Sequence, residues 1–437
     1  MNDEFGKNRV QYKEFLWSFY KYKKYDVYFY RGGQELAEFT AKAAEKHVKE
    51  LEQLFEFQLE SKFQFIVYNN KSDFYQSNIG NLSNDQNVGG KTRLVGSKVF
   101  LYFDGKHEDL EIAIREGVAK VIINQVIFGG DLRESLKNNA LMSLPHWFEA
   151  GLVSYLANPN NHKVNYTIKD GVINERFAKF NRIEGYDLVA VGHSIWDFVV
   201  RNYGIGDLPN ILYMTKVSRS AESGFLFVLG ISSNNLIDKW YLSLREEYKD
   251  QNLENDFVNQ ESLLKKFKKN RVYYQYEINP QGTKVAYVTN EMHQYKIWIK
   301  DLETGKVKKI DRKNGKLDIS VDLSIPLLEW HPNGAFLSVI TEEKAKFWWK
   351  LYEVKTKEWT ESEIFQFDKI MDYAYSPDGK YFVMSAFRRG KTDLYKFGVQ
   401  SRRIEQLTND FYDELNPIFV GGQSKILFTS NLSLIHI

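Results

Sequence analysis

The chain predicts an α+β region followed by an all-β repeat region, and three observations carry that expectation. Strand-like runs and helices with apolar residues at threes and fours share roughly the first 250 residues. Beyond about Asn279 the helical period stops, and Pro-x-Gly turns recur ahead of β-rich runs. The length, 437 residues, exceeds what one compact core holds and suits two or three domains.

In the first region, Tyr25-Asp26-Val27-Tyr28-Phe29-Tyr30 reads as a strand stopped by Gly32-Gly33. A long helix follows, with Leu36, Phe39, Ala43, Ala44, Val48, Leu51 and Leu54 on one face. Phe63–Tyr68 and Val99–Phe103 are further strands, the second closed by Asp104-Gly105. Helices are expected over roughly 107–127, 144–157, 187–203 and 234–250. The order of strand, helix, strands and then helices only implies an α+β region with its helices segregated.

In the second region, Asn279-Pro280-Gln281-Gly282, His331-Pro332-Asn333-Gly334 and Ser376-Pro377-Asp378-Gly379 each precede a strand-like run. Pro280 and Pro332 lie 52 residues apart, and Pro332 and Pro377 lie 45 apart. A weaker fourth element has Asn416-Pro417 and Gly421-Gly422 before Ile426-Leu427-Phe428. Repeats of this length with several strands each indicate propeller blades. Asp301–Lys306 is the tight turn within a blade. Three or so blades, with a weaker fourth element, cannot close a ring that normally needs four to eight, so an incomplete β-propeller of about three to four blades is expected, with further blades or a downstream domain missing. The final Leu432-Ser433-Leu434-Ile435-His436-Ile437 matches the translation of a transposon end used in sequencing libraries, and is read as an artefact rather than a genuine tail.

Composition narrows the function. Lys+Arg number 59 against 57 Asp+Glu, and a net charge of +2 argues against a protein built to grip nucleic acid. With no Cys, disulfides, thiolate nucleophiles and Cys-ligated metals are excluded. No apolar run reaches membrane-spanning length, and Met1–Phe5 opens no signal peptide.

Two stretches hold chemistry-bearing residues, Ile114-Arg115-Glu116-Gly117-Val118-Ala119-Lys120 and Leu144-Pro145-His146-Trp147-Phe148-Glu149-Ala150-Gly151-Leu152-Val153-Ser154-Tyr155. The second resembles the "LPxWfxEGlaxY" helix of gluzincin-type metallopeptidases, the peptidase MA-like group, and the first falls where those proteins carry HExxH. Gly192–Trp196 through Tyr203-Gly204 resembles a later helix of that group, and Asn8–Tyr30 resembles the entry segment of such domains in bacterial envelope proteins. The resemblance spans about residues 5–250 and implies a thermolysin-like fold. The repeats over about 270–430 are similar to TolB-like and dipeptidyl-peptidase N-terminal propellers, most closely at Ser376–Lys380. The expected organisation is a peptidase MA-like domain over 1–255, a linker over 256–270, a partial propeller over 271–431 and the artefact over 432–437.

Zinc peptidase chemistry needs two His one helical turn apart, a third ligand from a second helix, and a Glu acting as base on the metal-bound water. Carried over by residue, the two His positions are Arg115 and Ala119, and the third-ligand position is Ala150. Only the general-base position, Glu116, keeps its residue. Glu149 lies one residue early, about 100° around the helix. A guanidinium has no lone pair to donate and a methyl group coordinates nothing. The expectation is a vestigial site with no catalytic residue and no cofactor. Arg115 is expected to pair with Glu149 or Glu111, and Glu116 with Lys120. His146, Trp147 and Tyr155 are candidate cleft residues.

Zinc enters only under the alternative, an active metallopeptidase with a site rebuilt from His146, Glu149 and Glu116, or a Glu116-dependent hydrolase. The favoured reading is a pseudo-peptidase and propeller binding a protein or peptide in the bacterial cell envelope, a location the resemblance implies. A third reading has the first domain only orienting the propeller. Gly89-Gly90-Lys91-Thr92 is read as a turn, since Asp85 stands where a phosphate loop needs glycine. His47, His107, His162, His193, His293 and His331 lack ligand spacing, and Ser154 and Ser194 lack a nucleophile elbow. Trp348, Trp349 and Trp359 are expected to pack blades.

Overall fold

The structure is a computed structural model, describing residues 14–77, 93–95, 97–130, 142, 144–249, 264, 267–268, 270–314, 322–422 and 424–432. The turn expected at 89–92 and most of the expected 256–270 linker lie outside these residues, as does all but Leu432 of the terminal hexapeptide.

The N-terminal region opens with β1 (Trp17–Lys21), β2 (Tyr25–Tyr30), α1 (Gln34–Leu54), β3 (Phe63–Tyr68), α2 (Lys71–Phe74), β4 (Arg93–Val95) and β5 (Lys98–Tyr102). The sheet order is β1-β2-β3-β5-β4. The pairs β2/β3 and β3/β5 are parallel, whereas both edges are antiparallel. Helix α1 is the crossover that parallel β2 and β3 require, burying Leu36, Ala37, Ala44, Val48 and Leu51. Helix α1 lies between β2 and β3, where the sequence pattern places it, and the helices from residue 107 onward follow the last strand of this sheet.

The helices that follow are α3 (His107–Phe128), α4 (His146–Ala157), α5 (His162–Ile173), α6 (Gly185–Tyr203), α7 (Asp207–Ser218), α8 (Ala221–Leu229) and α9 (Ser233–Tyr248), with a 3-10 turn at Phe180–Arg182. The sequence reading missed α5, α7 and α8. In α5 the inward residues Val164, Ile168 and Val172 repeat every four, but β-branched residues and Gly171 dilute the pattern. Its start is set by Asn161, whose side chain accepts the amides of Lys163 and Val164 (3.1 and 3.3 Å). In α8 the run Phe225-Leu226-Phe227-Val228 has strand composition. The Ser220 cap and the tight seat of Gly224 against α7 make it a helix, since a Cβ on Gly224 would lie 2.9 Å from the Ile211 carbonyl oxygen.

The second region is a series of antiparallel meanders, each joined in chain order. Blade one is β6 (Val272–Ile278), β7 (Lys284–Glu291), β8 (Gln294–Asp301) and β9 (Val307–Asn314). Blade two is β10 (Leu327–Trp330), β11 (Phe336–Glu343), β12 (Lys346–Glu353) and β13 (Trp359–Ile364). Blade three is β14 (Lys369–Tyr375), β15 (Tyr381–Arg388), β16 (Lys391–Gly398) and β17 (Ile404–Gln406). The fourth sheet has two described strands, β18 (Glu414–Phe419) and β19 (Ile426–Ser430).

The three Pro-x-Gly turns are geometrically alike. Gly282, Gly334 and Gly379 have φ of +69°, +70° and +69°, and each donates its amide at 2.8 Å to the carbonyl three residues earlier. That left-handed conformation is why glycine recurs there. Asp301 closes the β8–β9 hairpin by accepting the Thr304 amide and hydroxyl (2.8 and 2.7 Å). Two apolar clusters bind the blades face to face. Leu328, Trp330, Leu337 and Val339 meet blade one, while Ile340, Phe347 and Trp349 meet blade three. Trp349 is buried as expected, its indole donating to Ser338. Among the described residues no helix is long and apolar enough to cross a membrane.

Candidate functional site

Helices α3 and α4 bring the two motif stretches together. They do not make a metal centre of them. Ala119 is fully buried in the apolar core, and Arg115 is turned away from α4's first turns. Its Nε donates to the Leu156 carbonyl at the end of α4 (2.6 Å), and its Nη1 lies 3.0 Å from Glu50 on α1. The expected partners Glu149 and Glu111 are thus replaced by Glu50. Glu111 instead faces His47 (3.2 Å) and Lys46 (2.9 Å) on α1. These pairs staple α1 to α3, a contact across more than 60 residues that i,i+4 reasoning could not supply.

Glu116 is only 3% exposed. Among the described residues it has no hydrogen-bond or ion-pair partner; Lys120 is an electrostatic neighbour only. Burial pushes its carboxyl up to about 8, and Lys120 offsets little of that. At neutral pH the group is mostly a buried neutral acid rather than a carboxylate ready to take a proton.

The donor set does not fit zinc, since Arg115, Ala119 and Ala150 offer no ligand atom. Among the described residues no three His, Asp or Glu side chains gather as a metal site would require. His146 is exposed at the start of α4 while Glu116 lies in the core, so the pieces of a rebuilt site are differently placed.

Other motif positions have packing roles. A Cβ on Gly151 would sit 2.6 Å from the Gly192 Cα, so this glycine pair lets α4 and α6 cross with backbones nearly touching. Behind the crossing, Ser154 Oγ meets His193 Nδ1 at 2.8 Å, both side chains buried. His193 Nε2 lies 3.4 Å from the Pro159 carbonyl, which fills the place an orienting acid takes in a catalytic triad. Burial brings the His193 imidazole down to about 4, outweighing those two bonds. Trp196 donates to the Phe148 carbonyl, and Trp240 to the Ser194 hydroxyl.

His146 and Trp147 line a groove of about 560 Å³ with Phe180, Ile183, Arg219 and Glu222. Tyr155 does not join them; its ring packs edge-on to His193, 5.6 Å between centroids, in the interior. The groove continues past Lys179, Arg182 and Asp238. Both cations and acids line it, and Glu222 is engaged in capping α9 through the Ser233 amide (2.9 Å). Its wall therefore selects no single charge of ligand.

No protein-family model matches the chain, and no curated protein matches it. Among solved structures, it is similar to TolB from Acinetobacter baumannii at 19% identity, covering 36% of this chain and 40% of that one, with a TM-score of 0.29. The β-propeller domain of the Trilobed protease from Pyrococcus furiosus matches at 16% identity over 38% of this chain and 55% of that one, TM-score 0.27. A protein named as a dipeptidyl aminopeptidase IV from Bacteroides ovatus matches at 14% identity over 39% and 33%, TM-score 0.30. The chain thus spans less than two thirds of each. These overlaps are short and low-scoring; the propeller-like architecture rests on the meanders and turns described above.

Proposed function

We propose that the chain joins a non-catalytic, peptidase-like region to a β-propeller, and serves as a protein- or peptide-binding scaffold of the bacterial cell envelope. The observation that carries this reading is the state of the three ligand positions. Arg115 is committed to Glu50 and Leu156, Ala119 is buried, and Ala150 has no donor atom. Glu116, without a metal-bound water to deprotonate, has no hydrolytic nucleophile to make. With the chemistry gone, what remains is a rigid array of blade edges and loops on a packed helical base, suited to holding a partner. The envelope location follows from the sequence resemblance.

The test is zinc content of the purified chain after dialysis without chelator, paired with a hydrolysis assay on unstructured protein. Near-zero zinc and no cleavage are expected. One zinc per chain, or cleavage abolished by Glu116→Gln, overturns the proposal.

A further inference from the structure

We infer that the repeat region supplies the N-terminal cap and clamp of helix α3, so that order at the start of that helix depends on blade three and the fourth sheet. The α3 cap position is Lys106, which makes no side-chain capping bond. The first amides of a helix have no partner inside it, and an uncapped start frays. Here the partner comes from 306 residues away: the His107 amide donates to Asp413 Oδ2 and His107 Nδ1 meets Asp413 Oδ1, both at 2.7 Å. A carboxylate at this end also opposes the positive pole of the helix dipole. Asp413 is itself held, its amide donating to Asn431 (2.8 Å) and the Asn431 side chain donating back (3.1 Å).

Phe103, Asp104 and Gly105, just before the cap position, are gripped almost as closely. The Phe103 ring packs edge-on to Phe387 of β15, which sits in the N-terminal core rather than between blades. Asp104 accepts from buried Lys369 (2.8 Å), which also lies 3.6 Å from Asp322. The Gly105 carbonyl accepts from Thr392 (2.8 Å), and a side chain at Gly105 would come within 2.8 Å of Met371. An apolar plug, a buried cation and a helix cap therefore converge on one five-residue loop. That loop leads directly into the helix carrying Arg115 and Glu116.

The experiment is hydrogen exchange by mass spectrometry on the full chain, comparing wild type with Asp413→Ala and Asp413→Asn. Losing a side-chain cap should speed exchange over 103–113 by about tenfold, with α4 and α6 unchanged. Asparagine keeps an acceptor and should restore most of the protection. A second variant, Thr392→Val, removes the donor to Gly105 and should speed the same segment about threefold. Unchanged exchange over 103–113 in either Asp413→Ala or Thr392→Val overturns the inference. So does a rise spread evenly over the whole chain, which would mark general destabilisation.

Discussion

Replacing Glu116 with Gln should stabilise the protein, in proportion to pH. The side chain is 3% exposed and burial raises its carboxyl from 4.5 to about 8. Between those values the folded state binds more protons than the unfolded one, so stability is fully present below pH 4.5 and falls as pH rises towards 8. At 1.36 kcal/mol per pH unit, the penalty at pH 7 is about 3 kcal/mol, reaching about 5 above pH 9 and under 1 at pH 5. Gln has nearly the same shape and no proton to lose, so the variant escapes this slope. Urea denaturation of both proteins at pH 5, 6, 7 and 8, followed by tryptophan fluorescence, measures it. Other raised acids, such as Glu277 (about 7) and Asp372 (about 6), titrate in both proteins and cancel in the difference. A difference at pH 7 below about 0.5 kcal/mol, or one that does not grow with pH, would refute the assignment of Glu116 as a buried, unpaired acid.

Three further outcomes are expected. Gly151→Ala forces a methyl against the Gly192 backbone and should destabilise by about 2 kcal/mol, read as a lower midpoint in thermal circular dichroism. His193 is held near 4 by burial, against an ordinary 6.5, so its contribution is present above pH 6.5 and lost as pH falls through 4. His193→Gln should flatten that acid limb by about 3 kcal/mol in denaturant titrations at pH 7 and pH 4. The combined variant Arg115→His, Ala119→His and Ala150→Glu should bind one zinc per chain on elemental analysis. A folded triple variant that takes up no zinc would show that the residue-by-residue register is wrong.

The β2 and β3 bounds are readable from sequence because alternation and aromatic content are local properties. The blade turns are readable because one glycine with positive φ recurs in a fixed setting. Helices α5 and α8 escaped because diluted or strand-like composition conceals their period, and capping and packing decide them. At the site, the missing ligands at Arg115, Ala119 and Ala150 are a matter of residue identity and needed no coordinates. The partner of Arg115 was not legible: local spacing offers Glu111, while the folded chain presents Glu50 from a different helix.

By itself, then, the amino-acid sequence determined strands β2, β3 and β5, helices α1, α3, α4, α6 and α9, the blade repeat and the absence of ligand atoms at the three matched positions, all of which depend on neighbours or on side-chain chemistry. Tertiary structure alone decided that Glu116 is buried without a charge partner, that Gly151 and Gly192 form a helix crossing, and that Asp413 caps α3. The reason is physical: desolvation, close approach and capping across 306 residues arise only when distant segments meet, and no local period encodes which ones will.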